Sequence, residues 1–210
     1  MGALVEPLAV GWHAVVTSPV KGGDNVLVLG GGPIGLAVLQ ALKALTGDRK
    51  VGTVLMSEVA KKRQEFALDF GADKVLDPRS EDVEAKCQTM FKDRGGVDVV
   101  FDCAGVAAGL ETACKAIRAR GAVVNVAIWE KKIEFNPNWL VFKEGKYSAV
   151  LGSVKSDFEE VIRAIDEGRL KPTGMITKKI GMTEIVEKGF RELVENKEEH
   201  VKILVDVSRE

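Results

Sequence analysis

Gly30, Gly32 and Gly35 stand at G-x-G-x-x-G spacing, with Pro33 and Ile34 completing the turn. Upstream, Asn25-Val26-Leu27-Val28-Leu29 is too short and too β-branched for a helix, so it predicts a strand. Downstream, Pro33 suits the first position of a helix, and Ile34, Ala37, Val38, Ala41, Leu42 and Leu45 recur at helical spacing until Gly47. A strand, a glycine turn and a helix in that order are the setting in which this spacing binds a dinucleotide. Gly30 would allow the tight turn, Gly32 would let the backbone approach a pyrophosphate, and Gly35 would let helix and strand pack closely. The free N–H groups of the helix start would face the phosphates.

Val54-Leu55-Met56-Ser57-Glu58 reads as a second strand ending on an acid, twenty-three residues after Gly35. The expected spacing for an acid that accepts the adenosine ribose hydroxyls is about 20. A carboxylate there would repel the 2′-phosphate of NADP, which points to NAD. Glu58 also reads as a solvated acid at the N-terminus of the next helix, favoured by the macrodipole. Ser57 and Arg63 could serve a phosphate instead.

The rest of the chain must position these groups. Helices are expected over Lys61 to Phe70, Glu81 to Asp93, and through Leu110 to Gly121. Strands are expected at Lys74–Asp77, Val97–Phe101, Ala122–Ala127 and Tyr147–Leu151. This alternation implies an α/β fold, a Rossmann-like doubly wound parallel sheet. Its ligand crevice would lie at the carboxyl ends of the strands, where Gly30, Glu58, Cys103 and Val126 fall. The ends differ: Ala3 to Val16 is helix-like, and Ser156-Asp157-Phe158-Glu159 reads as a capping box opening a helix to Gly168. Strand-like Met175–Thr177, a helix through Ile185, Phe190 and Leu193, and a strand Val201 to Val207 follow. Both ends read as remnants of a second domain. The division is residues 1–24 as linker, 25–155 as the dinucleotide-binding domain, and 156–210 as a segment that packs with the missing domain.

Composition narrows the function classes. Of 210 residues, 46% are hydrophobic and 29% charged, and the net charge is −1 with both signs interspersed, which argues against nucleic acid or an anionic membrane as partner. No apolar run approaches the roughly 18 residues of a membrane span. The odd, scattered set Cys87, Cys103 and Cys114 suggests free thiols and a cytoplasmic setting.

Glu6-Pro7-Leu8-Ala9-Val10-Gly11-Trp12-His13-Ala14, Val28 to Gly35, Phe70-Gly71-Ala72-Asp73, Asp98 to Asp102 and Asn136-Pro137 together resemble the medium-chain, zinc-dependent alcohol dehydrogenases. The likeness runs from residue 3 to residue 207 and leans toward the 2,3-butanediol and polyol (sorbitol) dehydrogenase branch. It implies an NAD-dependent oxidation of a secondary alcohol or vicinal diol to a ketone, with a catalytic zinc carried mainly by an N-terminal domain that precedes this chain. By resemblance Glu6 completes or approaches the zinc sphere, and it alone of the ligand set is in this chain. No catalytic residue is expected here, and the chain alone is expected to be inactive and to hold no zinc. Arg63 would flank the ribose, Cys103 and Ala104 would line the crevice, Val126 and Ile128 would meet the nicotinamide carboxamide, and Val10 would lie under its ring. Taken singly, the apolar members also read as ordinary core, Trp129, Trp139 and Phe142 as core or interface, and His13 as a packed helix residue. Lys202 could reach a phosphate. A homo-oligomer is expected. The alternatives are a stand-alone NAD-binding module and a relative of the zinc-independent quinone reductases, against which Glu6-Pro7 counts.

Overall fold

The strand Val26–Leu29 (β1) is buried at every position, as a strand covered on both faces requires. Its side chains alternate between two layers: Val26 and Val28 enter one, Leu27 and Leu29 the other. The structure, a computed structural model, describes residues 1–196 and 198–208.

Helix α1 (Val5–Thr17) precedes β1, and α2 (Pro33–Ala44), β2 (Val54–Ser57), α3 (Lys61–Asp69), β3 (Lys74–Leu76), α4 (Val83–Met90) and β4 (Val97–Asp102) follow. Then come α5 (Ala107–Ala116), β5 (Ile117–Asn125), the single turn α6 (Asn138–Val141) and β6 (Lys146–Ala149). The six strands form one sheet in the order β3-β2-β1-β4-β5-β6, every neighbouring pair parallel. The order reverses between β1 and β4, which places the crevice of a doubly wound sheet at their carboxyl ends. One face of the sheet packs Val28, Met56, Phe101 and Val124 against α1 and α2. The other packs Leu27, Leu55, Val100 and Val123 against Val83 and Cys87 of α4 and Leu110, Ala113 and Cys114 of α5.

The C-terminal part contains α7 (Lys155–Asp166), β7 (Ile176–Gly181), a π-helical turn Ile185–Phe190, α8 (Arg191–Glu195) and β8 (Lys202–Asp206). Strands β7 and β8 pair with each other, in parallel, and not with the main sheet. Val161 and Ala164 of α7, together with Leu170, Met175 and Val201, are buried in the same apolar layer as α1 and α2. Beyond that layer Val186, Phe190, Val194 and Val207 are exposed. The segment 156–210 also includes Lys197, Arg209 and Glu210, which lie outside the described residues.

Several expected elements shift. α5 stops at Ala116, because Ile117 already pairs with Val97 in β5, and the stretch to Gly121 is an irregular strand in which Arg120 has a positive φ. α4 is shorter than Glu81 to Asp93: the Asp82 carboxylate accepts the Ala85 N–H (2.9 Å) and caps it, and Met90 is exposed. Ser156 does not cap α7. The helix begins at Lys155, and the Asp157 carboxylate reaches back to accept the Val154 N–H (2.7 Å). Pro172–Met175 is a 3-10 turn, so the strand expected at Met175 starts at Ile176. Phe142 is 85% exposed, so of the core and interface readings the core one does not hold.

Candidate functional site

The glycine turn sits between the carboxyl end of β1 and the first turn of α2. Gly30 has φ +91°, a conformation that L side chains rarely adopt, and its N–H donates to the Ser57 carbonyl (2.8 Å), joining the ends of β1 and β2. A Cβ on Gly35 would come within 1.8 Å of the Gly30 carbonyl oxygen, so only glycine lets helix and strand approach this closely. Gly32 behaves differently. Its backbone is extended, and the nearest atom to a Cβ there would be an Arg63 guanidinium nitrogen at 4.0 Å, so this face opens into the crevice. Pro33 opens α2, and no side chain caps that helix end. With Ile34 and Gly35 in the first turn, the helix N-terminus presents the positive end of its dipole to the opening.

Glu58 follows β2 directly and is only 6% exposed. Its Oε2 accepts the Gly31 N–H at 2.6 Å, and its Oε1 accepts the Ala60 N–H at 2.8 Å, just before α3 begins. A solvated acid at a helix start would look otherwise: Glu58 serves the helix start and the glycine turn together. Each oxygen keeps further accepting capacity. Glu58 and Arg63 line a cavity of about 580 Å³ with Leu29, Gly30, Gly32, Ser57, Cys103 and Ala104.

A second cavity of about 490 Å³ adjoins it, with Ala104 and Val106 lining both. Ile128, 80% exposed, Trp129 and Lys131 also line it. The wall between the cavities is set by Asp102, the last residue of β4, which is fully buried. Its Oδ1 accepts the N–H groups of Ala104 (3.0 Å) and Gly105 (3.1 Å). Its backbone carbonyl accepts those of Val126 (2.9 Å) and Ala127 (3.0 Å). Beside it Asn125 Oδ1 accepts the Trp129 indole N–H at 2.8 Å. Asp102 and Asn125 escaped the sequence reading, although an acid closing an apolar strand was a visible signal. Burial pushes the Cys103 thiol well up from its usual range, with the Asp102 charge adding to it, and raises Cys87 to about 12 and Cys114 to about 11. Such thiols are poor nucleophiles at neutral pH.

The remaining predicted residues lie elsewhere. Val10, on α1, packs half-buried against the apolar layer and does not line either cavity. Lys202 lies in β8 opposite Ile176. Glu6 is exposed in the first turn of α1. Among the described residues no group of three or more His, Cys, Asp or Glu side chains could hold a metal ion. His13 Nδ1 is 2.8 Å from Asp157 Oδ2, tying α1 to α7, and His200 lies against Thr177 (3.2 Å) and Glu192 (3.3 Å). A zinc site requires three or four converging donors, and these residues do not supply them. No described helix is long and apolar enough to cross a membrane.

The sheet order, the glycine turn and an acid after β2 define a dinucleotide-binding fold of the dehydrogenase type. Residues 33–167 match the zinc-binding dehydrogenase family, and the chain belongs to that family. It is 37% identical over 212 residues to the (R,R)-butanediol dehydrogenase of Saccharomyces cerevisiae, covering 98% of this chain and 54% of that protein. It is 39% identical over 204 residues to the (R,R)-butanediol dehydrogenase of Bacillus subtilis, covering 97% and 57%. The crystal structure of 2R,3R-butanediol dehydrogenase from Bacillus subtilis superposes with a TM-score of 0.89 at 38% identity, covering 98% of this chain and 57% of that one. A protein of Sinorhizobium meliloti 1021 described as a zinc-binding dehydrogenase and bound to NADP superposes with a TM-score of 0.83 at 29% identity, covering 98% and 59%. The chain thus spans about half the length of the relatives it matches.

Proposed function

We propose that this chain is the NAD-binding portion of a zinc-dependent dehydrogenase that oxidises a secondary alcohol or vicinal diol, of the 2,3-butanediol type. The observation that carries the reading is the buried Glu58 carboxylate on the Gly31 N–H, lining the same cavity as the open face of Gly32. A dinucleotide fits these residues. The pyrophosphate would lie over Gly32 and the α2 N-terminus, with Pro33, Ile34 and Gly35 fixing the turn. Glu58 would accept hydrogen bonds from the ribose hydroxyls, and Arg63 would flank that ribose. Cys103 and Ala104 would line the middle of the crevice, and Val126 and Ile128 the nicotinamide end. Val10 would serve only by supporting that end from beneath. When bound, NAD supplies the hydride acceptor; the chain's own part is to bind it, orient it and exclude water.

The zinc chemistry belongs in this proposal to the part of the relatives that this chain does not span, with Glu6 as the one contributor from this chain. In domain terms residues 1–24 act as linker, 25–155 as the dinucleotide-binding domain, and 156–210 as the segment that meets the metal-bearing part. The exposed Val186, Phe190 and Val194 support that last assignment. The partners are then NAD, a small alcohol or diol, and a further copy of the chain in a homo-oligomer within the cytoplasm.

A second reading, a stand-alone NAD-binding module, draws on the lack of converging metal donors among the described residues. Titration of the purified chain with NADH, followed by nucleotide fluorescence, tests both readings, since each requires saturable binding. An absorbance assay for NADH formation on 2,3-butanediol and sorbitol, with metal analysis, then separates them. Turnover that appears only when an N-terminal fragment of a relative is added supports the first reading, and its continued absence supports the second.

A further inference from the structure

Asp102 is fully buried at the carboxyl end of a central strand, where it cannot reach a substrate, yet its contacts converge on the crevice. Oδ1 takes both N–H groups of the turn that follows β4, those of Ala104 and Gly105. Ala104 lines both cavities, and its Cα lies 3.3 Å from the position a Cβ on Gly30 would occupy, so the turn also abuts the glycine turn. Gly105 has φ +62°, and a Cβ there would meet the Ala127 Cβ at 3.0 Å. One side chain therefore fixes the segment that faces the glycine turn on one side and the loop after β5 on the other.

The second oxygen, Oδ2, is buried and has no hydrogen-bond partner among the described residues. Burial pushes the carboxyl upward from its usual range, although the Gly105 and Ala104 N–H groups pull it partly back. A group chosen only to stabilise the core would not leave an acid oxygen unsatisfied there, because that carries a desolvation cost. What the acid contributes is the placement of two amides by a single acceptor.

We propose that Asp102 is a positioning residue for the dinucleotide: through Oδ1 it holds the Ala104–Gly105 turn against both cavities, and that hold sets the affinity for NAD(H). The inference rests on the NAD-binding reading above. A support that keeps a binding wall within a fraction of an ångström acts on affinity without touching the ligand.

The test is an NADH fluorescence titration of the wild-type chain, Asp102→Asn and Asp102→Ala, with urea unfolding of each. Asparagine keeps an acceptor at Oδ1, whereas alanine leaves both amides without one. The expected outcome is that Asp102→Asn binds NADH within about threefold of wild type, and that folded Asp102→Ala binds at least about tenfold more weakly. A folded Asp102→Ala with wild-type affinity overturns the inference, as does an Asp102→Asn as weak as the alanine variant. Should Asp102→Ala not fold, Asp102→Asn decides alone: affinity within about threefold supports the hold on the turn, and a loss of about tenfold or more overturns it. Absence of NADH binding by the wild-type chain would instead remove the NAD-binding reading, and with it the role assigned to Asp102.

Discussion

Glu58 Oε2 lies 2.6 Å from the Gly31 amide nitrogen, so the acid after β2 and the glycine turn after β1 form one unit before any ligand arrives. The same carboxylate holds the Ala60 N–H, and with it the start of α3. Glu58→Ala leaves two buried amides without acceptors and should lower stability by about 1–3 kcal/mol. Urea unfolding checks this. A midpoint unchanged from wild type would mean that water or backbone takes over both amides.

Two glycines of one motif should respond oppositely to substitution. Gly32→Val meets open space and an extended backbone, so the fold should stay cooperative while NADH binding is lost. Gly35→Ala places a Cβ within 1.8 Å of the Gly30 carbonyl, so the fold itself should suffer, by about 1–3 kcal/mol for overpacking. Circular dichroism melts with NADH titrations separate the two effects. Retained NADH affinity in folded Gly32→Val would reduce the motif to a structural turn.

At the opposite end of β4, Asp98 is 2% exposed and meets Arg118 Nε at 2.6 Å, Arg94 at 2.7 Å and the Asn25 N–H at 2.8 Å. Burial would raise its carboxyl, but the hydrogen bonds from Arg118 and Asn25 and the charge of Arg94 outweigh it and hold the carboxyl below the usual range. A depressed folded pKa gives stability that is present above the unfolded carboxylate pKa and lost as pH falls through the folded value. Asp98→Asn should cost about 2 kcal/mol at neutral pH, since hydrogen bonds to charged groups are worth about 1.5–3 kcal/mol and both arginines are partly solvated. The variant should also lose less stability than wild type between neutral and acid pH. Chemical denaturation across that range reads both effects, and parallel acid profiles would rule out Asp98 as a source of acid lability.

The sheet and the glycine turn were legible because local signals agreed: short apolar runs, glycines after β1 and α3, and a proline at a helix start. The strand after α5 was misread because Ile117 continues the apolar spacing of the helix, and only its pairing with Val97 reveals the strand. The α7 cap was misplaced for a similar reason. Ser156 fits the pattern, but Asp157 reaches back to the Val154 amide. Spacing singles out Glu58 as a candidate, but it does not reveal the bond to Gly31. Asp102 was passed over because its role lies in two backbone amides that follow it, and no periodicity marks such a contact. Val10, Val126 and Lys202 were assigned by resemblance, and the described structure gives none of them a place on the walls of the two cavities, with Val126 packed in the apolar layer instead.

The most direct test of the central claim is a paired titration of the purified chain with NADH and NADPH under identical salt and pH. The Glu58 carboxylate at the ribose end should make NADH bind at least about tenfold tighter, a difference of about 1.4 kcal/mol. Glu58→Gln should narrow that gap by removing the repulsion of a 2′-phosphate. Equal affinities, tighter NADPH, or no binding of either nucleotide would contradict the account.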